Sequence, residues 1–134
     1  SGPDASLGTG RKDQLTASTP FLSLPYPRRM AQASRKLGIL LSVAPQHPNF
    51  HHALQLAAAG LNAQDEVYLY CLDDAVHGLA DERLQTLRGH GLRLFACAFA
   101  AQRRKLPQTE NALYGGLTML NDVMAATDRF VSFN

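Results

Sequence analysis

The sequence is poor in several features that would narrow the class of protein. It has no tryptophan, and its two cysteines among 134 residues are Cys71 and Cys97. Two cysteines do not make a disulfide framework, so we expect a protein of the reducing cytoplasm. No apolar run approaches the roughly 18–20 residues that span a bilayer, and the first residues lack the apolar stretch of a secretory signal. We therefore expect neither a membrane span nor a signal peptide.

The chain also lacks a large excess of charge of either sign. The formal net charge is +2 at pH 7, which argues against nucleic-acid binding by bulk electrostatics. The sequence has no Gly-x-Gly-x-x-Gly or Walker pattern for phosphates, no Gly-x-Ser-x-Gly nucleophile elbow and no Cys-x-x-Cys redox pair. It indicates no cofactor, and we do not expect an enzyme with a complete site for a small substrate.

Strand and helix patterns alternate from residue 36 onward. Hydrophobic residues make up 46% of the chain, enough for one domain with a core. Apolar or alternating runs predict strands at 37–43, 67–72, 92–96, 111–116 and 129–133. The segments between them have helical spacing, most clearly 50–61. Such alternation predicts an α/β fold with an open, mostly parallel sheet and helices on both faces.

Polar residues at the predicted helix starts suggest caps. We expect Asn49 to cap the helix over 50–61 and Thr118 to cap the last helix. Asp73 and Asp74 close the second strand and are expected to cap the segment that follows.

The first part of the chain differs from the rest. Residues 1–35 are rich in glycine, proline, serine and threonine and show no sustained period, whereas 36–134 form the predicted domain. Residues 1–35 are then a tag remnant, an upstream extension or a flexible tail. The alternative is an arm that packs on a neighbouring subunit through its apolar residues, which are Phe21, Leu22, Leu24 and Tyr26.

Cys97 is the residue most clearly suited to a chemical role. It is predicted where the third strand ends and a helix begins, and free N–H groups there favour an anion such as a thiolate. The alternative for Cys97 is a small buried hydrophobe. Arg103 and Arg104 follow on the same helix and could steer an acidic partner or an oxyanion. Cys71, inside the second strand, is expected in the core, with a resolving thiol as the alternative.

Three histidines cluster after the first strand. Pro48 separates His47 from His51, and no acidic or cysteine ligand lies at a metal spacing, so we expect no metal site. His51 and His52 fit an exposed helix face. A second hypothesis places His51 in the cleft beside Cys97.

The residues around Cys97 resemble the DsrE/DsrF-like family, and in particular its TusD/DsrE type of sulfur carrier. In that type an alanine-rich helix and an Arg-Arg pair follow the carrier cysteine at the offsets of Arg103 and Arg104 here. Supporting matches are the first strand with its loop and the helix that starts at Asn49, together with the segments 73–76, 115–116 and 128–133. Ala98 and Lys105 depart from the pattern, because carriers often have Gly or Val and then Gly at these places.

The resemblance implies a flavodoxin-like three-layer α/β/α sandwich with about five strands. It also implies a homo-oligomer, a trimer or hexamer, or assembly with related family subunits. Its function would be that of a sulfur-relay protein, at most a sulfurtransferase, which carries a persulfide on Cys97 between a donor and an acceptor protein. The alternative is an oligomeric binding or structural module with an inert cysteine, and a lesser one is a small-ligand protein using the strand-end cleft.

Overall fold

A computed structural model of the chain describes residues 35–134. The four apolar residues of the hypothetical packing arm, and the N-terminal extension apart from Arg35, lie outside the described residues. The boundary between extension and domain therefore stays a prediction.

The described residues form an α/β fold around one five-stranded sheet. The strands lie in the order β4-β3-β2-β1-β5, and every neighbouring pair is parallel. Their bounds are β1 Lys36–Leu41, β2 Glu66–Cys71, β3 Arg93–Cys97, β4 Leu113–Gly115 and β5 Arg129–Phe133. The predicted α/β class and the flavodoxin-like sandwich of about five parallel strands are confirmed.

Helices connect consecutive strands. Their bounds are α1 Pro48–Asn62, a 3-10 helix Asp73–Gly78, α2 Glu82–Gly89, α3 Ala98–Arg103 and α4 Leu117–Ala126. The chain steps from β1 to β4 in one direction and then crosses to β5 on the far side of β1. Because such crossovers are right-handed, α1 to α3 lie on one face of the sheet and α4 on the other.

The first-face core is built from alternate strand residues. Ile39, Leu41, Val67, Leu69 and Cys71 are wholly buried, and this is the face that α1 covers through its contacts with β1 and β2. The α4 face is less completely covered. Gly38 allows the Phe130 ring to pack against the backbone on that face, because a Cβ at this position would lie 2.6 Å from the ring.

The predicted cap at Asn49 is wrong. Helix α1 begins two residues earlier than predicted, at Pro48, and His47 is its cap. The His47 Nδ1 accepts the backbone N–H of Asn49 at 3.0 Å. Pro48 fits the first helical position because its fixed φ is helical and it has no N–H to satisfy.

The other two cap predictions are also wrong. Helix α4 begins at Leu117, with Gly116 as a cap that makes no side-chain bond. A Thr118 cap is worth only about 1 kcal/mol, and the observed helix buries Leu120 and Val123. Leu72 occupies the cap position of the 3-10 helix and has no side-chain group that could cap it. Asp73 lies inside this helix with a left-handed φ of 50°, and Asp74 pairs with Arg104.

The start of α2 supplies a test of local stability. Asp81 caps this helix by accepting the Arg83 backbone N–H at 2.9 Å, and its other oxygen accepts from the Arg83 guanidinium at 2.9 Å. Replacing it, Asp81→Ala, should lower the free energy of unfolding by about 1 kcal/mol, measured by urea denaturation. The nearby Glu82→Ala variant is the control and should cost less than about 0.5 kcal/mol.

Acidic pH should remove the difference in stability between wild type and Asp81→Ala. Hydrogen bonding from Arg83 holds the pKa of Asp81 below its ordinary value of 3.8. A carboxylate with a lowered folded-state pKa stabilises the fold above its unfolded pKa, and this stabilisation is lost as the pH falls through the folded pKa. An Asp81→Ala variant as stable as wild type near neutral pH would contradict the assignment of this cap.

Candidate functional site

Cys97 lies at the junction where it was predicted. It is the last residue of β3 and the cap of α3. Its Sγ accepts the backbone N–H of Ala100 at 3.3 Å. This bond places one donor of the helix start on the sulfur, which is the local arrangement that favours a thiolate.

The sulfur is nearly covered in the single chain. Cys97 is 5% exposed, although its chemistry as a carrier would require contact with another molecule. The nearest backbone across the sheet is that of Gly115, which pairs with Cys97 in the register of β3 and β4. The turn from Gly115 to Leu117 therefore borders the sulfur.

Tyr70 is the site residue that sequence reasoning missed. It is wholly buried at the end of β2, and its hydroxyl donates toward the carbonyls of Gly115 and Gly116, at 3.3 and 3.2 Å. Cys97 lies near enough to the Tyr70 hydroxyl to influence its acidity. Burial raises the pKa of the Tyr70 hydroxyl most, and the Cys97 sulfur raises it further.

The strand pattern shows which residues of β2 share a face with Tyr70. Placing Tyr70 on the same face as Cys97 also requires the register between β2 and β3. Tyr70 pairs with Phe95, and side chains alternate along a strand, so Tyr70, Phe95 and Cys97 share one face. The sequence does not state which strands are neighbours or how they are aligned.

The same alternation separates the two cysteines. Cys71 pairs with Ala96 and so points to the opposite face from Cys97. It is wholly buried, and burial raises the pKa of its thiol to about 12. The prediction of a core residue is confirmed for Cys71, and a role as resolving thiol for Cys97 has no geometric support.

An open groove of about 480 Å³ runs beside the covered sulfur. Its lining comes from α3, the following loop and the start of the β4–α4 turn, namely Ala98, Phe99, Gln102, Leu106, Gln108 and Gly116. Phe99, one of these lining residues, is 63% exposed, and Leu117, which follows Gly116 in the chain, is 67% exposed. The groove is therefore a mainly apolar surface that adjoins Cys97 through its chain neighbours.

The two arginines have separate environments. Arg104 donates to Asp74 through Nε and Nη2, at 3.1 and 2.9 Å, and through Nη1 to the Ala100 carbonyl at 3.2 Å. It joins α3 to the 3-10 helix. Arg103 lies over the exposed Phe99 ring, 5.6 Å from its centroid. Arg103 is the cation of the pair placed at the groove.

The histidines lie away from this groove. His51 has an exposed side chain in the first turn of α1 and is not among the groove's lining residues. Among residues 35–134, no three His, Cys, Asp or Glu side chains gather as a metal site would require. None of the helices in this range has the length and apolar character to cross a membrane.

The usual ligand crevice of such a sheet is bridged here. In open parallel sheets this crevice lies between the strands where the winding direction reverses, which are β1 and β5 in this fold. Asn49 donates to the Asn134 carbonyl at 2.8 Å, and the Ser42 hydroxyl donates to the Asn134 side-chain oxygen at 3.1 Å. These bonds span the mouth of the crevice, which gives a small-ligand function little support.

The fold and site together define a flavodoxin-like α/β domain with a cysteine at a strand-to-helix junction. The sequence matches no protein-family model, and no curated protein matches it. Among solved structures, the crystal structure of the ychN protein from E. coli is similar. The match has a TM-score of 0.63 and 20% identity, and it covers 74% of this chain and 99% of that one. This likeness shows the fold.

Alkylation of the folded protein should distinguish the two thiols. With iodoacetamide at mildly alkaline pH, Cys71 should stay unmodified, because it is wholly buried and its pKa is raised to about 12. Intact-mass analysis should then show at most one adduct, at Cys97, and two adducts in urea. Modification of Cys71 at the rate of Cys97 in the folded protein would contradict the described core.

Proposed function

We propose that the protein is a sulfur-relay carrier, with Cys97 holding a transient persulfide. The observation that carries the proposal is the bond from the Ala100 N–H to the Cys97 sulfur at 3.3 Å. A sulfur that accepts a backbone N–H at a helix start is suited to exist as an anion, and thiolates are the attacking groups in sulfur exchange. The resemblance of the sequence to the DsrE/DsrF-like carriers agrees with this chemistry.

The proposed transfer needs no external oxidant. The Cys97 thiolate attacks the outer sulfur of a donor persulfide, a new S–S bond forms at Cys97, and the donor leaves as a thiolate. The outer sulfur and its proton remain on Cys97. An acceptor thiolate then attacks that outer sulfur, and the Cys97 thiolate leaves. The protein would act as a carrier and a weak sulfurtransferase.

Access sets the structural requirement for this exchange. Cys97 is 5% exposed, so a partner's sulfur reaches it only when a bordering segment moves. The turn at Gly115 and Gly116 is that segment, since it lies beside Cys97 in the sheet and forms part of the groove. The donor or acceptor would occupy the groove, with Arg103 at its side to attract an acidic partner.

The second candidate is an oligomeric binding or structural module with an inert cysteine. The near-complete burial of Cys97 favours it, because free cysteines often serve as small core hydrophobes. Both candidates share the fold and the expected cytoplasmic setting. They differ in whether sulfur can reach Cys97.

Sulfur loading tests the proposal directly. The protein is incubated with a small-molecule persulfide donor, and its intact mass is measured without reductant. We expect a gain of one sulfur atom on the wild type and none on Cys97→Ser. The matched control is Cys71→Ala, which removes the other thiol and should still gain one sulfur.

Two results would defeat the carrier proposal. One is an unchanged mass of the folded wild-type protein. The other is equal loading of wild type and Cys97→Ser, which would place the sulfur elsewhere. Either leaves the binding or structural module as the better account.

We also propose that the chain forms a homo-oligomer, a trimer or hexamer as the family resemblance implies, or assembles with related subunits. Phe99, Leu113 and Leu117 are each at least 60% exposed, and large apolar side chains exposed in this way would be covered at an interface. Short strand β4 also lies at the edge of the sheet, where its outer backbone groups are available for pairing.

Sedimentation analysis tests the oligomer. Wild type should sediment as a trimer or hexamer, and the double variant Phe99→Ser with Leu117→Ser should move toward monomer with an unchanged circular dichroism spectrum. A monomeric wild type at all concentrations would refute self-association. A double variant with the wild-type mass would place the interface on another surface.

A further inference from the structure

Strand β5 forms one edge of the sheet described by residues 35–134. The Phe133 carbonyl accepts the Ser42 N–H at 3.1 Å, so the backbone groups of Phe133 face towards β1. Backbone groups alternate in direction from one strand residue to the next, so Phe130 and Ser132 direct their N–H and C=O groups away from β1. The outer side of β5 is therefore lined by the backbone donors and acceptors of these two residues.

This edge lacks the features that usually prevent a further strand from pairing. Edge strands of soluble proteins commonly carry a lysine, a proline or a bulge. Residues 130–133 read Phe-Val-Ser-Phe, with neither charge nor proline, and the register with β1 runs unbroken from Arg129 to Phe133. The side chains of Phe130, Val131 and Phe133 are only half-buried. Because side chains alternate along a strand, β5 presents apolar surface on both faces of the sheet.

Both ends of β5 are fastened to the rest of the domain. At its start, Asp128 Oδ2 accepts the backbone N–H of Lys36 at 2.8 Å, and the Asp128 N–H donates to the Lys36 carbonyl at 2.8 Å. At its end, the Ser42 hydroxyl and the Asn49 side-chain amide both donate to Asn134. The edge is thus held in strand geometry in the single chain, which lowers the entropy that pairing would cost.

We infer that β5 is the interface at which two copies of this chain pair antiparallel, with the two Val131 residues opposite each other on a two-fold axis. The two five-stranded sheets then become one continuous sheet. This contact goes beyond the proposed carrier function and leaves Cys97 free for its partners. Strand β5 lies at the opposite edge of the sheet from β4, and the turn after β4 borders the groove.

The outward backbone groups select this register. With Val131 on the axis, Phe130 of each copy lies opposite Ser132 of the other copy. Both of these residues direct their backbone groups outward, so each pair exchanges its two N–H···O=C bonds. The two Val131 side chains meet at the axis, where β-branched residues form favourable cross-strand contacts.

The charge pattern favours a second copy as the partner. Arg129 is the only charged residue of β5, and in this register it lies opposite the Phe133 ring of the other copy. The two arginines stay about 14 Å apart along the strands, whereas a register centred on Arg129 would place like charges directly opposite each other, which is destabilising. Antiparallel self-pairing also closes after two copies, because the same surface is used on both.

Cross-linking tests the position of the axis. In the full chain carrying Val131→Cys, the two new thiols would lie at a non-hydrogen-bonded pair with Cα atoms about 4.5 Å apart, a separation that a disulfide can span. A mild thiol oxidant should therefore give a covalent product of twice the chain mass on a non-reducing gel. The matched control is Arg129→Cys, whose thiol is more exposed but about 14 Å from its counterpart, and it should stay at single mass.

Sedimentation tests the backbone pairing with a different residue. Ser132→Pro removes an N–H that faces outward and leaves the bonds to β1 in place, so it should halve the sedimenting mass with an unchanged circular dichroism spectrum. Ser132→Ala is the control. It removes the same hydroxyl but keeps the N–H, and it should retain the wild-type mass.

Either experiment can overturn the β5 contact. A folded Ser132→Pro protein with the wild-type mass contradicts it. So does a Val131→Cys protein that iodoacetamide alkylates but the oxidant does not cross-link, or an equal yield of dimer from Arg129→Cys. Each variant is decisive without the other, so a failure of one of them to fold leaves the inference testable.

The same experiments separate this contact from the proposed function and from the groove-side interface. Sulfur loading of Cys97 does not involve β5, so a wild type that accepts no sulfur defeats the carrier proposal alone. The double variant Phe99→Ser with Leu117→Ser should still give the Val131→Cys cross-link, because its changes lie near the other edge of the sheet. Loss of the cross-link in that folded double variant would contradict an independent contact at β5.

Discussion

The site depends on the alignment of three neighbouring parallel strands. The pairing of Tyr70 with Phe95 and of Cys97 with Gly115 brings a phenol, a thiol and a glycine turn to one corner of the sheet. Backbone hydrogen bonds fix that alignment, and the alternation of side chains decides which groups share a face. A slip of one residue in β3 would turn Cys97 toward the opposite face and put Ala96 beside Tyr70.

Burial of the sulfur and its polar surroundings have to be considered together. An apolar pocket alone would favour a neutral and inert thiol, as the raised pKa of Cys71 illustrates. Cys97 is almost as deeply buried but receives the Ala100 N–H. The two cysteines of one sheet thus have different surroundings: both end a strand, but only Cys97 is followed directly by a helix whose backbone N–H reaches the sulfur.

The topology explains why the candidate site is found at β3. The crevice between β1 and β5 is bridged by bonds from Asn49 and Ser42 to Asn134. At the other side of the sheet, β4 is short and forms the edge next to β3. The open groove and the exposed apolar side chains lie on that side.

The sequence by itself determined the alternation of strands and helices, the parallel sheet, the buried place of Cys71 and the junction at Cys97. These follow from local patterns of apolar residues, which fix each element before its neighbours are known. Tertiary structure alone decided that Arg104 pairs with Asp74, that the Tyr70 hydroxyl bonds the Gly115–Gly116 turn, and that the sulfur is covered. The contacts of Arg104 and Tyr70 join residues about 30 or more positions apart in sequence, and the packed sheet sets which residues meet. The cap at Asn49 was mispredicted because Pro48 takes the first helical position and His47 caps the helix instead. Helix α4 begins at Leu117 with Gly116, not Thr118, in the cap position.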